Sequence, residues 1–210
     1  RDANGKIPEE LYFIVVDPFY DDEAEDVTSL AAVYVCKRGM NQTPTHAMDV
    51  AWFVGRPSLP TFHENVMMLC DYYNCKAQSE IGGGGKGLYD YARQKQKLDR
   101  LEFTPVQINN KEVKKEGSNR TYFMNMTTDD KVMGLTYYQD WLKQPVCIDS
   151  EGNELWNIHF VYDVGLLDEI IKFGPDKNVD RISAQIVKQF MLKEKSHLEI
   201  IKNKAPMEKI

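Results

Sequence analysis

The chain mixes short runs that are apolar at every position with longer stretches of helical spacing. Leu11-Tyr12-Phe13-Ile14-Val15-Val16 has no polar face and stops at Asp17-Pro18. Such a run predicts a strand buried on both sides, near the middle of a sheet. Thr28 to Cys36 and Met48 to Val54 predict two more strands, joined as an antiparallel meander. Between Thr61 and about Tyr73, the residues Phe62, Val66, Leu69 and Tyr73 share one helical face, with Thr61 as the cap. Residues 75–79 predict a fourth strand, parallel to the first because a helix precedes it.

Gly82 to Gly85 then predict a flexible loop before a helix from about Leu88 to Leu98. Residues 101–128 alternate and contain Asn109-Asn110 and Gly117, which predicts a long β-hairpin or excursion. Thr128 and Asp129 can cap a helix that runs to Leu142 and ends before Pro145. A polar turn follows at 149–153, then a short strand or turn near 158–161, then a helix through Leu166, Leu167, Ile170 and Ile171 that Gly174-Pro175 stops. The last predicted helix spans about Val179 to Leu192 and opens on Asp180. These elements make one domain over residues 1–192 and a charged tail over 193–210.

Composition narrows the classes. A chain of 210 residues with 42% hydrophobic residues can bury a full core. No apolar stretch reaches the length of a membrane span. The first residues carry no signal-peptide core and no initiator methionine, so a fragment or processed product is expected. Cys36, Cys70, Cys75 and Cys147 have neither CxxC pairing nor zinc spacing, and they predict reduced thiols. The net charge of −6 is unusual for a nucleic-acid binder. Two bound divalent cations would offset about four units of it, and DNA contact would be local or helped by another domain.

The candidate chemistry lies in three separated acids. Asp17 ends the central strand, Glu80 ends the fourth, and Asp180 starts the last helix. Rigidly placed carboxylates are the oxygen ligands that hard divalent ions prefer, and a pair of ions about 3.5–4 Å apart can drive phosphodiester hydrolysis. Each acid alone also has a plainer reading. Asp17-Pro18 can start a turn, Glu80 can be a solvated strand end, and Asp180 can cap its helix. Lys86, Arg93 and Lys131 can meet phosphates, although solvated helix faces explain them equally well. The glycine run fails as a Walker loop because Lys86 is followed by Gly87 rather than serine or threonine. His46, His63, His159 and His197 are scattered and suggest no nucleophile system.

Four stretches together resemble the nuclease domain of the large terminase subunit of tailed bacteriophages. They are Tyr12 to Pro18 with the acidic loop ending Asp26-Val27-Thr28-Ser29, Ala51 to Pro57 with the helix through Tyr73-Asn74, Ala77-Gln78-Ser79-Glu80 with its glycines, and Gly165 to Ile170 through Asp180 to Ala184. The order of elements is likewise that of a ribonuclease H-like fold: α/β, a mixed central sheet flanked by helices, with an inserted β-hairpin.

The resemblance implies an endonuclease that uses two Mg2+ or Mn2+ ions to cut concatemeric viral DNA during packaging. It implies an upstream ATPase domain, a portal protein and a small terminase subunit as partners, and action in the bacterial host cytoplasm at the procapsid portal. By position it puts metal ligation on Asp17, Glu80 and Asp180, with Asp26 as a further acid. Asp163, Asp168 and Glu169 are alternatives for the third place. The 101–128 excursion would lie near the active-site groove and limit DNA access. A non-catalytic docking module on the portal, or a recombinase or resolvase of the same fold, is the competing expectation.

Overall fold

The computed structural model describes residues 5, 7–19, 29–38, 48–105, 121–174 and 179–204, with side chains through Lys193. Asp26, His46, the acidic loop and residues 106–120 lie outside them.

The apolar run forms β1 (Tyr12–Asp17), and its interior residues have at most 1% of their surface in water. That burial places β1 in the middle of a four-stranded sheet. β2 (Ala31–Lys37) pairs antiparallel on one side, and β3 (Met48–Gly55) pairs antiparallel with β2. On the other side β4 (Ala77–Ser79) runs parallel to β1, giving the order β3-β2-β1-β4. The meander and the parallel fourth strand are as the sequence predicts, and the architecture is α/β with a mixed sheet between helical layers.

Side chains alternate across the sheet. Ile14, Val16, Val33 and Val35 face α1 (Leu59–Tyr73) and α2 (Gly84–Gln94). Phe13, Val15, Tyr34 and Cys36 face the second layer, made of α3 (Thr128–Leu142), α4 (Val164–Ile171) and α5 (Asp180–Lys204). α3 and α5 cross at Gly134, where an added Cβ would fall 2.5 Å from Ile186 Cγ2. Among the described residues, no helix is long and apolar enough to cross a membrane.

Several boundaries differ from the sequence expectation, each for a local reason. α1 begins at Leu59 with Pro60 in its first turn, where a missing N–H costs nothing, so Thr61 lies inside the helix. α2 begins at Gly84, so the glycine run is not simply a loop. Gly84 and Gly85 are buried because the chain passes there against Phe19 and Glu80. The cap of α3 is Thr127, not Thr128. Thr127 and Asp130 satisfy each other's backbone amides in a capping box. The region after α3 holds more than a turn, because β5 (Pro145–Ile148) and β6 (Glu154–Trp156) pair as a separate antiparallel hairpin. α5 continues in helical form through Lys204, past the expected domain end at 192.

The predicted excursion has an ordered base. Phe103 bridges Tyr122 antiparallel, their rings stack with centroids 4.6 Å apart, and Met124 bridges Glu80. Its tip is outside the described residues. Cys36, Cys70 and Cys75 are buried thiols and Cys147 is an exposed one, with no disulfide among them.

Candidate metal centre

The pairing of β1 with β4 decides where the first two acids go. Val16 lies opposite Ser79, so Asp17 and Glu80 follow side by side at the C-terminal ends of two parallel strands. Adjacent strands are about 4.8 Å apart, and ligands of open α/β sheets gather at this end of the strands.

The faces agree as well. Asp17 continues the Phe13–Val15 row toward the α3–α5 layer. Glu80 continues the row of Gln78, whose amide reaches Met191 of α5 at 3.6 Å. Both carboxylates therefore point to the same helical layer.

Asp180 meets them from that layer. It is the first residue of α5, where the helix dipole favours an anion. Its Oδ2 accepts a 2.8 Å hydrogen bond from the amide of Leu30, just before β2. Because Ala32 pairs with Asp17, this amide lies at the same end of the sheet. The acids are thus ordered across β2, β1 and β4, with Asp17 in the middle.

The electrostatics of Asp17 record this arrangement. Burial pushes its carboxyl well above the ordinary carboxylate range, and the charges of Asp180 and Glu80 push the same way. Lys131 and a hydrogen bond from Ser183 pull against them, by a smaller amount. Ser183 is one turn along α5 from Asp180 and shares its face. The sequence pattern Asp180-x-x-Ser183 carries that signal.

The acids are neighbours rather than a finished cage. Among the described residues, no group of three or more His, Cys, Asp or Glu side chains stands arranged to hold a metal ion. Glu80 Oε2 is instead engaged by Lys131 Nζ at 2.9 Å.

The alternative third acids are committed elsewhere. Asp163 caps α4 through the Gly165 amide, accepts the Tyr34 hydroxyl at 2.6 Å and pairs with Arg181 at 3.3 Å. Glu169 takes the Arg181 guanidinium at 2.9 Å and the amides of Arg181 and Ile182. Asp168 is half exposed and pairs with Lys172.

The basic candidates separate. Lys131 reaches the acids. Lys86 is exposed on α2, in the opposite layer, and Arg93 there pairs with Asp90 and lies over Tyr89. Of the histidines, His63 is buried in α1, and the exposed His159 accepts the Trp156 amide.

Asp17, Glu80 and Asp180 offer only carboxylate oxygens as donors. That chemistry suits Mg2+ or Mn2+ and not a soft metal. No protein-family model and no curated protein matches this chain.

Proposed function

We propose that the chain is a nuclease domain of ribonuclease H-like fold that hydrolyses DNA phosphodiesters with Mg2+ or Mn2+. The observation that carries the reading is the register of β1 and β4. It sets Asp17 beside Glu80 on the face that α5 meets with Asp180. The resemblance to terminase nuclease domains adds the biological setting. The substrate would be concatemeric viral double-stranded DNA, cut during packaging beside a portal protein, in the host cytoplasm, with a motor domain and a small subunit as partners.

In this reading Asp17, Glu80 and Asp180 hold two divalent ions. When bound, the ions supply an activated water and charge neutralisation at the leaving oxygen. The chain's own residues do the positioning. β1 and β4 fix Asp17 and Glu80 on rigid backbone. The Leu30 amide and the Ser183 hydroxyl orient the carboxylates of Asp180 and Asp17. Lys131 is a cation beside Glu80, where it can meet a phosphate that approaches the acids. The ordered base of the 101–128 excursion adjoins Glu80 through Met124, which suits a segment that limits DNA access.

The decisive experiment is plasmid nicking with Mn2+. Asp17→Asn should remove nicking while circular dichroism shows an intact fold. Full activity in the variant would exclude Asp17 as an essential ligand and sink the reading.

A further inference from the structure

The ion pair at Glu80 joins unlike partners. Lys131 stands in the first turn of α3, held there by the capping box of Thr127 and Asp130 and by the hydrogen bond its own N–H donates to the Thr127 carbonyl. Its side chain is 51% exposed, whereas that of Glu80 is 23% exposed. The ammonium therefore reaches from solvent into the acidic end of the sheet, 2.9 Å from Glu80 Oε2. A pair with one partner this exposed is weak. It compensates the acids without holding them tightly.

We propose that Lys131 is a latch: its ammonium occupies a cation position at Glu80 and gives way when a divalent ion enters. The inference rests on the metal-nuclease reading and assigns Lys131 a regulatory role in it. Two facts support the assignment. Glu80 Oε2 is the oxygen that Lys131 holds, so an ion ligated there meets the ammonium as a competing positive charge at the same atom. Lys131 also lies close enough to Asp17 to act on its charge, so one side chain serves two of the acids. Once displaced, the ammonium stays tethered beside the site, where a phosphate oxygen is its natural next partner.

The test is binding of Mn2+ alone to the whole chain without DNA, followed by electron paramagnetic resonance. Lys131→Met should bind Mn2+ roughly five- to tenfold more tightly than the unaltered chain, since a competing charge is gone. Lys131→Arg keeps the charge and should stay within about twofold. Lys143→Met removes one exposed cation from the far end of the same helix and should also stay within about twofold. Asp17→Asn should lose tight binding.

Unchanged or weaker binding in Lys131→Met, with binding lost in Asp17→Asn, overturns the latch and leaves the metal site standing. Equal tightening in Lys143→Met reduces the effect to net charge and also overturns the latch. No specific Mn2+ binding in any of these proteins, or binding untouched by Asp17→Asn, overturns the metal reading and the latch with it. A second readout needs no loss of charge. In the 13C-methylated chain, the Lys131 resonance, assigned by its absence from Lys131→Arg, should move on addition of Mg2+; a stationary resonance under saturating Mg2+ refutes displacement.

Discussion

Lys188 has none of its side chain in water, and its Nζ lies 2.8 Å from Asp49 Oδ1, joining α5 to the edge strand β3. The pair is well furnished. Gln185 donates to Asp49 Oδ2 at 3.0 Å, Cys36 donates from its thiol at 3.1 Å, and the ammonium sits 4.3 Å from the Trp141 ring centroid. Removing one partner strands the other charge inside the protein. Lys188→Met should therefore cost about 3–5 kcal/mol, whereas Lys188→Met with Asp49→Asn should cost clearly less than the single change. Urea unfolding of the parent, Lys188→Met, Asp49→Asn and the double variant measures this. A double variant as unstable as the sum of the two singles would show that the charges are not coupled.

Asp17 carries a stability cost that depends on pH. Its carboxyl is raised in the folded state by burial and by Asp180 and Glu80, against an ordinary value of about 3.9 in the unfolded chain. Between those two values the folded protein keeps a proton that the unfolded chain has released. Stability therefore falls as pH rises through that window and returns as pH falls back. Asp17→Asn should melt higher than the unaltered metal-free protein at pH 8, by roughly 3–8 °C for a gain of about 1–2 kcal/mol. The gap should close toward pH 4. Melting curves across pH that run parallel would refute the assignment.

The glycines are unequal. A Cβ on Gly85 would fall 1.8 Å from the Glu80 carbonyl oxygen, so the backbone that carries Glu80 must move. A Cβ on Gly82 would meet Glu80 Oε1 at an ordinary 3.4 Å. Gly85→Ala should lose about 2 kcal/mol or more of stability and most nicking activity, while Gly82→Ala keeps both within about twofold. Paired thermal melts and nicking assays decide it; equal tolerance at the two positions would contradict the close approach.

Asp163 and Asp180 should fail in different assays. Asp163 is buried against Arg181 and Tyr34, so Asp163→Asn should destabilise by about 2–4 kcal/mol yet leave the folded fraction active. Asp180→Asn should melt within a few degrees of the parent and lose at least about a hundredfold in cutting. The reverse pattern would move the third ligand from Asp180 to Asp163.

The sheet was legible because Phe13 to Val16 admit no polar face, and because a helix between β1 and β4 calls for a parallel return. Those two readings already place Asp17 beside Glu80. The lateral position of Asp180 was not legible, since it depends on how α5 packs across the sheet. Its bond to the Leu30 amide joins residues 150 positions apart. The glycine run misled because close approach and flexibility use the same residue, and only the positions of Phe19 and Glu80 separate them. The β5–β6 hairpin is not legible in the sequence, because its strands are four and three residues long and lack clean alternation.

α5 is a single unbroken rod of 25 residues. Its first residue is an acid of the proposed centre, and its ninth, Lys188, is clamped to β3. Eight residues of helix span about 12 Å, so a tilt of roughly 5° about the clamp swings Asp180 by about 1 Å. A displacement of that size can cost a catalytic site about a hundredfold in rate. Side chains buried at Lys188 thus set the mechanical tolerance of the proposed centre at the other end of the lever.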